Sequence, residues 1–484
     1  MTRKSIGTGL VTMVFIVTLF MGIPCALAEW EPMNSCTGVL VGKDASANGS
    51  VLLSHNEDMG SGESGKLWFQ PRKTHAPGET FYSSYITIPQ VPVTYAYWGH
   101  GNSDQIALED YDGSIRDGMC DGSILDGMNE FGVAVGCNSQ RSKEKRLPKG
   151  EGIQRYGVRQ IIMERARSAR EAVGLIGWLI DTYGSSGMVG AYLLADPHEA
   201  WLVETTSRHW VARRIPDDGF HAMANQYTIE TEWDLASDDL IDYAVAQGWY
   251  DPASNKPFNF KYVYGDRLDA ASNVVRELNS RAMLAPKVGS ITKEDLMEVT
   301  RTHYEETSDY SYPPHDRSVR RPICTHNCQA ALVWELREDV PLELGGAVMW
   351  YAPSTACTSA FVPIYISSTK IPEKYLIAGR EYDPVSAWWV FDMLQRLVDE
   401  RYAALHPEVR RRLDEFEQKE FRETVQLEKR ALTLNEQGNT QRARDLLAKY
   451  TYTRLNDAVR EARILLQEVA TSLGIKHEDL SSRF

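Results

Sequence analysis

The chain opens on a largely apolar run, Ile6 to Ile23, behind a short basic start at Arg3 and Lys4. Short apolar runs separated by polar turns follow. Thr37–Val41 and Val51–His55 flank the polar stretch Lys43–Gly49 and read as a β-hairpin. Residues 60–66 form a Gly/Ser loop, and Phe131–Cys137 reads as a buried strand entered by the turn 127–130. In residues 154–183 the apolar positions Val158, Ile161, Ile162 and Ala166 repeat at helical spacing. Ser168 and Glu171 form a capping-box pattern that starts a second helix there. Strands are expected at 189–195, 200–205, 209–215 and 221–224 as one continuing sheet, and again at 329–337 and 346–351. Residues 384–472 are rich in Glu, Arg, Leu and Ala and read as three or four long helices, broken at His406-Pro407 and Gly438-Asn439. This order of elements predicts an α+β or layered architecture.

Composition narrows the function classes. The 484 residues include 12 Trp, 23 Tyr and 13 Phe, enough apolar mass to exclude disorder as the dominant state. The formal net charge is −14, and no basic stripe is present to neutralise phosphates, so no nucleic-acid partner is expected. The N-terminal run, closed by Ala26-Leu27-Ala28, has the form of a secretory signal peptide spanning 1–28. Its removal predicts an exported chain, periplasmic or extracellular, with no stable membrane insertion; a homo-oligomer is compatible with the sequence. Six of the seven cysteines then remain: Cys36, Cys120, Cys137, Cys324, Cys328 and Cys357. In an oxidising compartment they predict either three structural disulfides, or one special thiol with at most two disulfides among the other five.

The sequence lacks the HExxH zinc motif, the phosphate-binding GxxxxGK[ST] loop and the GxSxG nucleophile elbow. Ser367-x-x-Lys370 trails a strand instead of starting a helix, and is read as incidental. Cys324-x-His326-x-Cys328 has metal-like spacing, but a closed zinc site needs four ligands and no second pair lies nearby in sequence. No metal and no organic cofactor is therefore expected.

The segment Cys36-Thr37-Gly38-Val39-Leu40-Val41-Gly42-Lys43-Asp44-Ala45-Ser46, followed by a strand ending His55-Asn56-Glu57-Asp58, carries the remaining signal. It resembles the dipeptidase family of N-terminal-nucleophile (Ntn) cysteine peptidases, related to secernins and to penicillin V acylase and bile salt hydrolase. Asp126–Ala134, Ala195–Thr205, Ala224-Asn225-Gln226 and Ser386-Ala387-Trp388-Trp389 extend the resemblance in collinear order. It implies the Ntn four-layer αββα sandwich over residues 36–375, a helical C-terminal region at 376–484 packed on it, and a propeptide at 29–35.

The implied chemistry is self-contained. A thiol needs a base to become a nucleophile. If Cys36 becomes the first residue, its own α-amine, with an ordinary pKa of about 7.7–8.0, can take the proton. The resemblance also implies that Ser35–Cys36 is cleaved, that Asp58 holds the new ammonium or orients the thiol, and that Asn225 and Asn138 donate to the oxyanion. His55 stands where relatives carry an arginine. His55, Asp58 and a downstream arginine, Arg320 or Arg321, are the candidate substrate contacts. The expected substrates are dipeptides or short peptides. An N-acyl amide hydrolase of the same fold and a non-catalytic binding protein are the alternatives.

Overall fold

The computed structural model describes residues 35–58, 64–83, 85–101, 108–109, 115–116, 124–148, 150–266, 268–316, 321–379, 381–476 and 480. The expected signal peptide, most of the propeptide, Cys25, Cys120 and Arg320 lie outside them.

Two antiparallel sheets dominate. The six-stranded sheet runs, in spatial order, Phe220–Met223, Thr37–Val41, Val51–Asp58, Cys328–Leu336, Ala347–Pro353 and Val362–Tyr365. The eight-stranded sheet runs Leu235–Ala236, Trp210–Arg214, Ala200–Thr205, Val189–Ala195, Ala134–Gln140, Ile124–Asn129, Tyr97–Gly101 and Lys66–Gln70. The sheets stack with the Thr37–Val41 and Val51–Asp58 strands against Ala134–Gln140 and Val189–Ala195. Side-chain alternation along VGAYLLA shows why both faces of that strand are buried. Ala191 and Leu193 join the core between the sheets, while Tyr192 and Leu194 join the core beneath the helices. The sheets approach closely at Gly38, where a Cβ would lie 2.6 Å from a Leu193 methyl.

Helices cover the outer faces. Helices α1 (Arg155–Arg165) and α2 (Ala169–Tyr183) pack on the eight-stranded sheet. The Ser168 hydroxyl caps α2 by accepting from the Glu171 amide at 3.1 Å, while the Glu171 carboxylate turns to the Arg167 amide. Two short helices, α3 (Leu240–Ala246) and α4 (Phe260–Tyr264), precede α5 (Ala271–Leu284) and α6 (Lys293–Arg301), which pack on the six-stranded sheet. These four helices fall in a stretch for which the sequence analysis expects no element. The chain ends with α7 (Ala387–Asp399), α8 (Tyr402–Glu436) and α9 (Thr440–Ser472), whose buried faces share one core with the six-stranded sheet. The result is the expected four-layer αββα, α+β architecture with a helical C-terminus.

Several expectations are corrected. Phe220–Met223 does not continue its predecessor's sheet; it crosses to pair with Thr37–Val41. Phe131 and Gly132 belong to a turn, because the Asn129 side chain accepts from the Phe131 and Val133 amides and Gly132 takes a φ of +75°, so the strand starts at Ala134. Pro407 does not break the C-terminal helices; it sits in the second turn of α8. The break falls between Asp399 and Tyr402. The expected disulfides are absent among the described cysteines, since Cys36, Cys137, Cys324, Cys328 and Cys357 are all unbonded. No helix among the described residues is long and apolar enough to cross a membrane.

Candidate active site

Hairpin register assembles the centre. Thr37 pairs with Asn56 and Gly38 with His55, so Cys36 continues the ladder opposite Glu57. Residues directly opposite share a face of the sheet. Cys36, His55 and Glu57 therefore point into the space between the sheets, while Thr37, Asn56 and Asp58 point toward α5 and α6. All of them are buried.

On the inter-sheet side, Cys36 Sγ lies 3.5 Å from Glu57 Oε1. Burial and then the Glu57 charge raise the thiol, which His55 only partly offsets, so its pKa is pushed up to about 11. Glu57 is itself raised to about 7, by burial and by the Asp126 charge, against the pull of His55 and Arg159. His55 Nδ1 lies 2.7 Å from Asp126 Oδ1, and His55 Nε2 lies 3.0 Å from Asn138 Oδ1. The Asn138 amide nitrogen donates to the Ala224 carbonyl at 2.8 Å and the Cys36 carbonyl at 3.2 Å, which leaves Oδ1 to accept from His55. Both imidazole nitrogens thus carry hydrogen, and His55 is a cation. Burial alone would lower its pKa, but Asp126 lifts it well above the ordinary value. Gly136 makes room for this ring, since a Cβ there would lie 3.0 Å from His55 Cγ.

On the helix side, Arg276 of α5 gathers the main chain. Its Nη1 donates to the Cys36 carbonyl at 2.7 Å and to Asn225 Oδ1 at 3.0 Å, and its Nη2 donates to Asn273 Oδ1 at 2.7 Å. Asn225 Nδ2 donates to the Ser139 carbonyl at 3.0 Å, so one of its two hydrogens is committed within the protein. Asp58 pairs with Arg321, which also donates to the Ser35 carbonyl. Asn56 anchors the hairpin by donating to the Thr300 carbonyl at 3.0 Å.

The structure thus brings Cys36, His55, Asn138 and Asn225 into one network, and sets Asp58 and Arg321 on the other side of the same main chain. Arg320 lies outside the described residues. His55 is buried behind the thiol and engages protein groups through both nitrogens. Glu57, Asp126 and Arg276 are the participants that sequence reasoning missed. Glu57 and Asp126 stand inside the motif segments, where two-residue alternation with Cys36 and His55 could have singled out Glu57. Arg276 had no sequence signal. Cys36, His55 and Glu57 converge closely enough to hold an ion, but a doubly hydrogenated His55 offers no lone pair to it.

Residues 35–415 match the model of peptidase family C69. A probable dipeptidase of Latilactobacillus sakei is 26% identical over 411 residues, covering 77% of this chain and 82% of its own. Probable dipeptidase A of Streptococcus pyogenes serotype M1 is 25% identical over 406 residues, covering 76% and 82%. Among solved structures, penicillin V acylase from Agrobacterium tumefaciens aligns with a TM-score of 0.38 at 13% identity, covering 69% of this chain and 87% of that one.

Proposed function

Because the chain belongs to peptidase family C69, we propose that it is a dipeptidase whose nucleophile is Cys36, released as the N-terminal residue by cutting Ser35–Cys36. One observation carries this reading. The family match begins at residue 35, and the next residue is a buried thiol whose own carbonyl is held by Arg276 and Asn138.

The unprocessed chain suits a dormant state. The Cys36 nitrogen is tied up in an amide, and the thiol is kept protonated by burial and by Glu57. Cleavage would supply an amine of about neutral pKa one residue-length from the sulfur. In turnover the thiol passes its proton to that amine as the sulfur attacks the substrate carbonyl carbon. The oxyanion so formed is stabilised by the remaining hydrogen of the Asn225 amide. The C–N bond then breaks, the leaving amine takes the proton, and water hydrolyses the thioester to restore the thiol. His55, charged through Asp126, supplies the positive field that favours thiolate. Asp58 and Arg321, beside the new terminus, fit the ammonium and carboxylate ends of a short peptide. Export through residues 1–28 is part of the same proposal.

The test is intact-mass analysis of exported protein beside a Cys36→Ala control, with turnover assayed on dipeptides and on N-acyl amides. The expected active chain begins at Cys36 and cleaves dipeptides. Full activity in a chain that begins at Glu29, or in the alanine variant, would overturn the proposal.

A further inference from the structure

Away from the catalytic hairpin, four soft or borderline donors meet in a buried pocket. His303 follows α6, His315 and Cys324 lie in the segment that leads to the Cys328–Leu336 strand, and Cys357 sits on the 3-10 turn Ala356–Thr358. One donor atom from each lies within 4.8 Å of all the others, and all four residues are buried. His303 Nε2 and His315 Nε2 are 2.9 Å apart, and His315 Nε2 is 3.4 Å from Cys357 Sγ and 4.0 Å from Cys324 Sγ. A tetrahedral zinc ion with ordinary Zn–N and Zn–S bonds sets its ligands about 3.3–3.8 Å apart.

The surroundings fix which imidazole nitrogen faces inward. His303 Nδ1 lies 2.7 Å from Glu305 Oε1, and His315 Nδ1 lies 2.8 Å from Asp399 Oδ1. Each Nδ1 therefore donates to a carboxylate, and each Nε2 turns a lone pair toward the other and toward the sulfurs. Two lone pairs 2.9 Å apart repel unless a cation or a shared proton lies between them. Histidines held by carboxylates in this way are the usual supporting shell of a zinc site. The Tyr402 ring closes the pocket edge-on against both imidazoles.

We propose that His303, His315, Cys324 and Cys357 bind one zinc ion as a closed structural site. Binding releases the two thiol protons, and two thiolates cancel the ion's charge, so the buried complex is neutral. All four positions are filled by protein, which leaves none for substrate or water. Of the metal-like trio in the sequence only Cys324 takes part. Cys328 lies instead beside Asn56, 3.9 Å from its amide nitrogen. The missing ligands come from 21 and 9 residues upstream and 33 downstream of Cys324, which is why spacing alone concealed them. The ion ties the end of α6 to the segment that delivers Arg321, three residues before Cys324, to Asp58.

The test reads metal and not turnover, so it stands apart from the proposed activity. The full chain, purified without chelator, should hold about one equivalent of zinc by mass spectrometry of the element. Cobalt exchanged into it should give the visible bands of tetrahedral thiolate coordination. Zinc should shield two thiols from a thiol reagent until a strong chelator is added. Cys357→Ser and His315→Ala should lose the metal, while Cys328→Ser keeps it. If the variants fail to fold, the cobalt spectrum and thiol shielding of the unaltered chain decide. Wild-type protein that holds less than about a tenth of an equivalent and takes up none on titration overturns the proposal, whether its thiols are free or joined as a Cys324–Cys357 disulfide.

Discussion

His55 Nδ1 and Asp126 Oδ1 are 2.7 Å apart across the two sheets, and neither side chain reaches solvent. Burial alone would raise the Asp126 pKa and lower that of His55. The pairing reverses both, with His100 adding a second bond to Asp126 at 3.0 Å. A raised histidine contributes stability in full below its unfolded value, near 6.5, and loses it as pH rises through the folded value. A depressed aspartate contributes above its unfolded value, near 3.9, and loses it as pH falls through the folded value. The windows overlap from weakly acidic to neutral pH, so the pair is intact across that range. Asp126→Asn removes the buried counter-charge of His55 and should cost up to about 3–5 kcal/mol. His55 would then fold neutral, so the variant should weaken further as pH drops through about 6.5. Urea unfolding across pH measures this; a loss below about 1 kcal/mol with no added acid sensitivity would sink the ion-pair assignment.

Arg321 touches both Asp58 and the Ser35 carbonyl, the bond at which the precursor is proposed to open. When the Cys36 sulfur adds to that carbonyl, charge develops on the oxygen that Arg321 already contacts. Arg321→Met should therefore slow release of the N-terminal segment by about 10²-fold or more, the cost of one oxyanion donor. Arg321→Lys should recover part of it. A mass time course of the precursor reads the rate, and processing of the methionine variant at the wild-type rate would remove Arg321 from this step.

How much of this was legible follows from where each residue sits. Cys36, His55 and Asp58 lie on one hairpin whose register is a matter of counting, so sequence places them together. Asn138 lies on the Ala134–Gln140 strand just past a motif segment, and Asn225 lies inside one, in the bend after Phe220–Met223, so resemblance alone marks them. Arg276 is different. A helical arginine outside any motif reads as a solvated charge, and only tertiary packing of α5 against the Cys36 main chain brings it the Cys36 carbonyl and Asn225. The same limit explains Phe220–Met223, whose apolar run predicts a strand but carries no information about which sheet receives it. Pro407 costs α8 one internal bond in its second turn, and the helix continues through it to Glu436.

After burial, the Glu57 charge is the largest influence keeping the thiol protonated. Glu57 is raised to about 7, so it is neutral at mildly acid pH and charged above neutrality. Its raised value favours the fold below the unfolded value, near 4.3, and that advantage fades as pH climbs through about 7. Glu57→Gln removes the charge without changing shape. The variant should keep its stability through neutral pH, and Cys36 in processed enzyme should alkylate at lower pH than in wild type. Iodoacetamide rates against pH provide the measurement, and a shift to higher pH would contradict the assigned repulsion.

Arg276 should behave as a positioning residue. Its guanidinium holds the Cys36 carbonyl, Asn225 and Asn273 at once, a geometry that a lysine ammonium cannot reproduce although it keeps the charge. Arg276→Lys should therefore lower kcat by about 10²-fold while KM changes little, because Asn225, the proposed oxyanion donor, loses its fixed orientation. Asn273→Ala, which frees one end of the same fork, should give a smaller loss in the same direction. Since both act through Asn225, the Arg276→Lys/Asn225→Ala double variant should be no slower than Asn225→Ala alone. Steady-state kinetics on one dipeptide across the four proteins measures the coupling. Fully additive losses, or an Arg276→Lys effect confined to KM, would show that the arginine serves substrate binding and not the placement of Asn225.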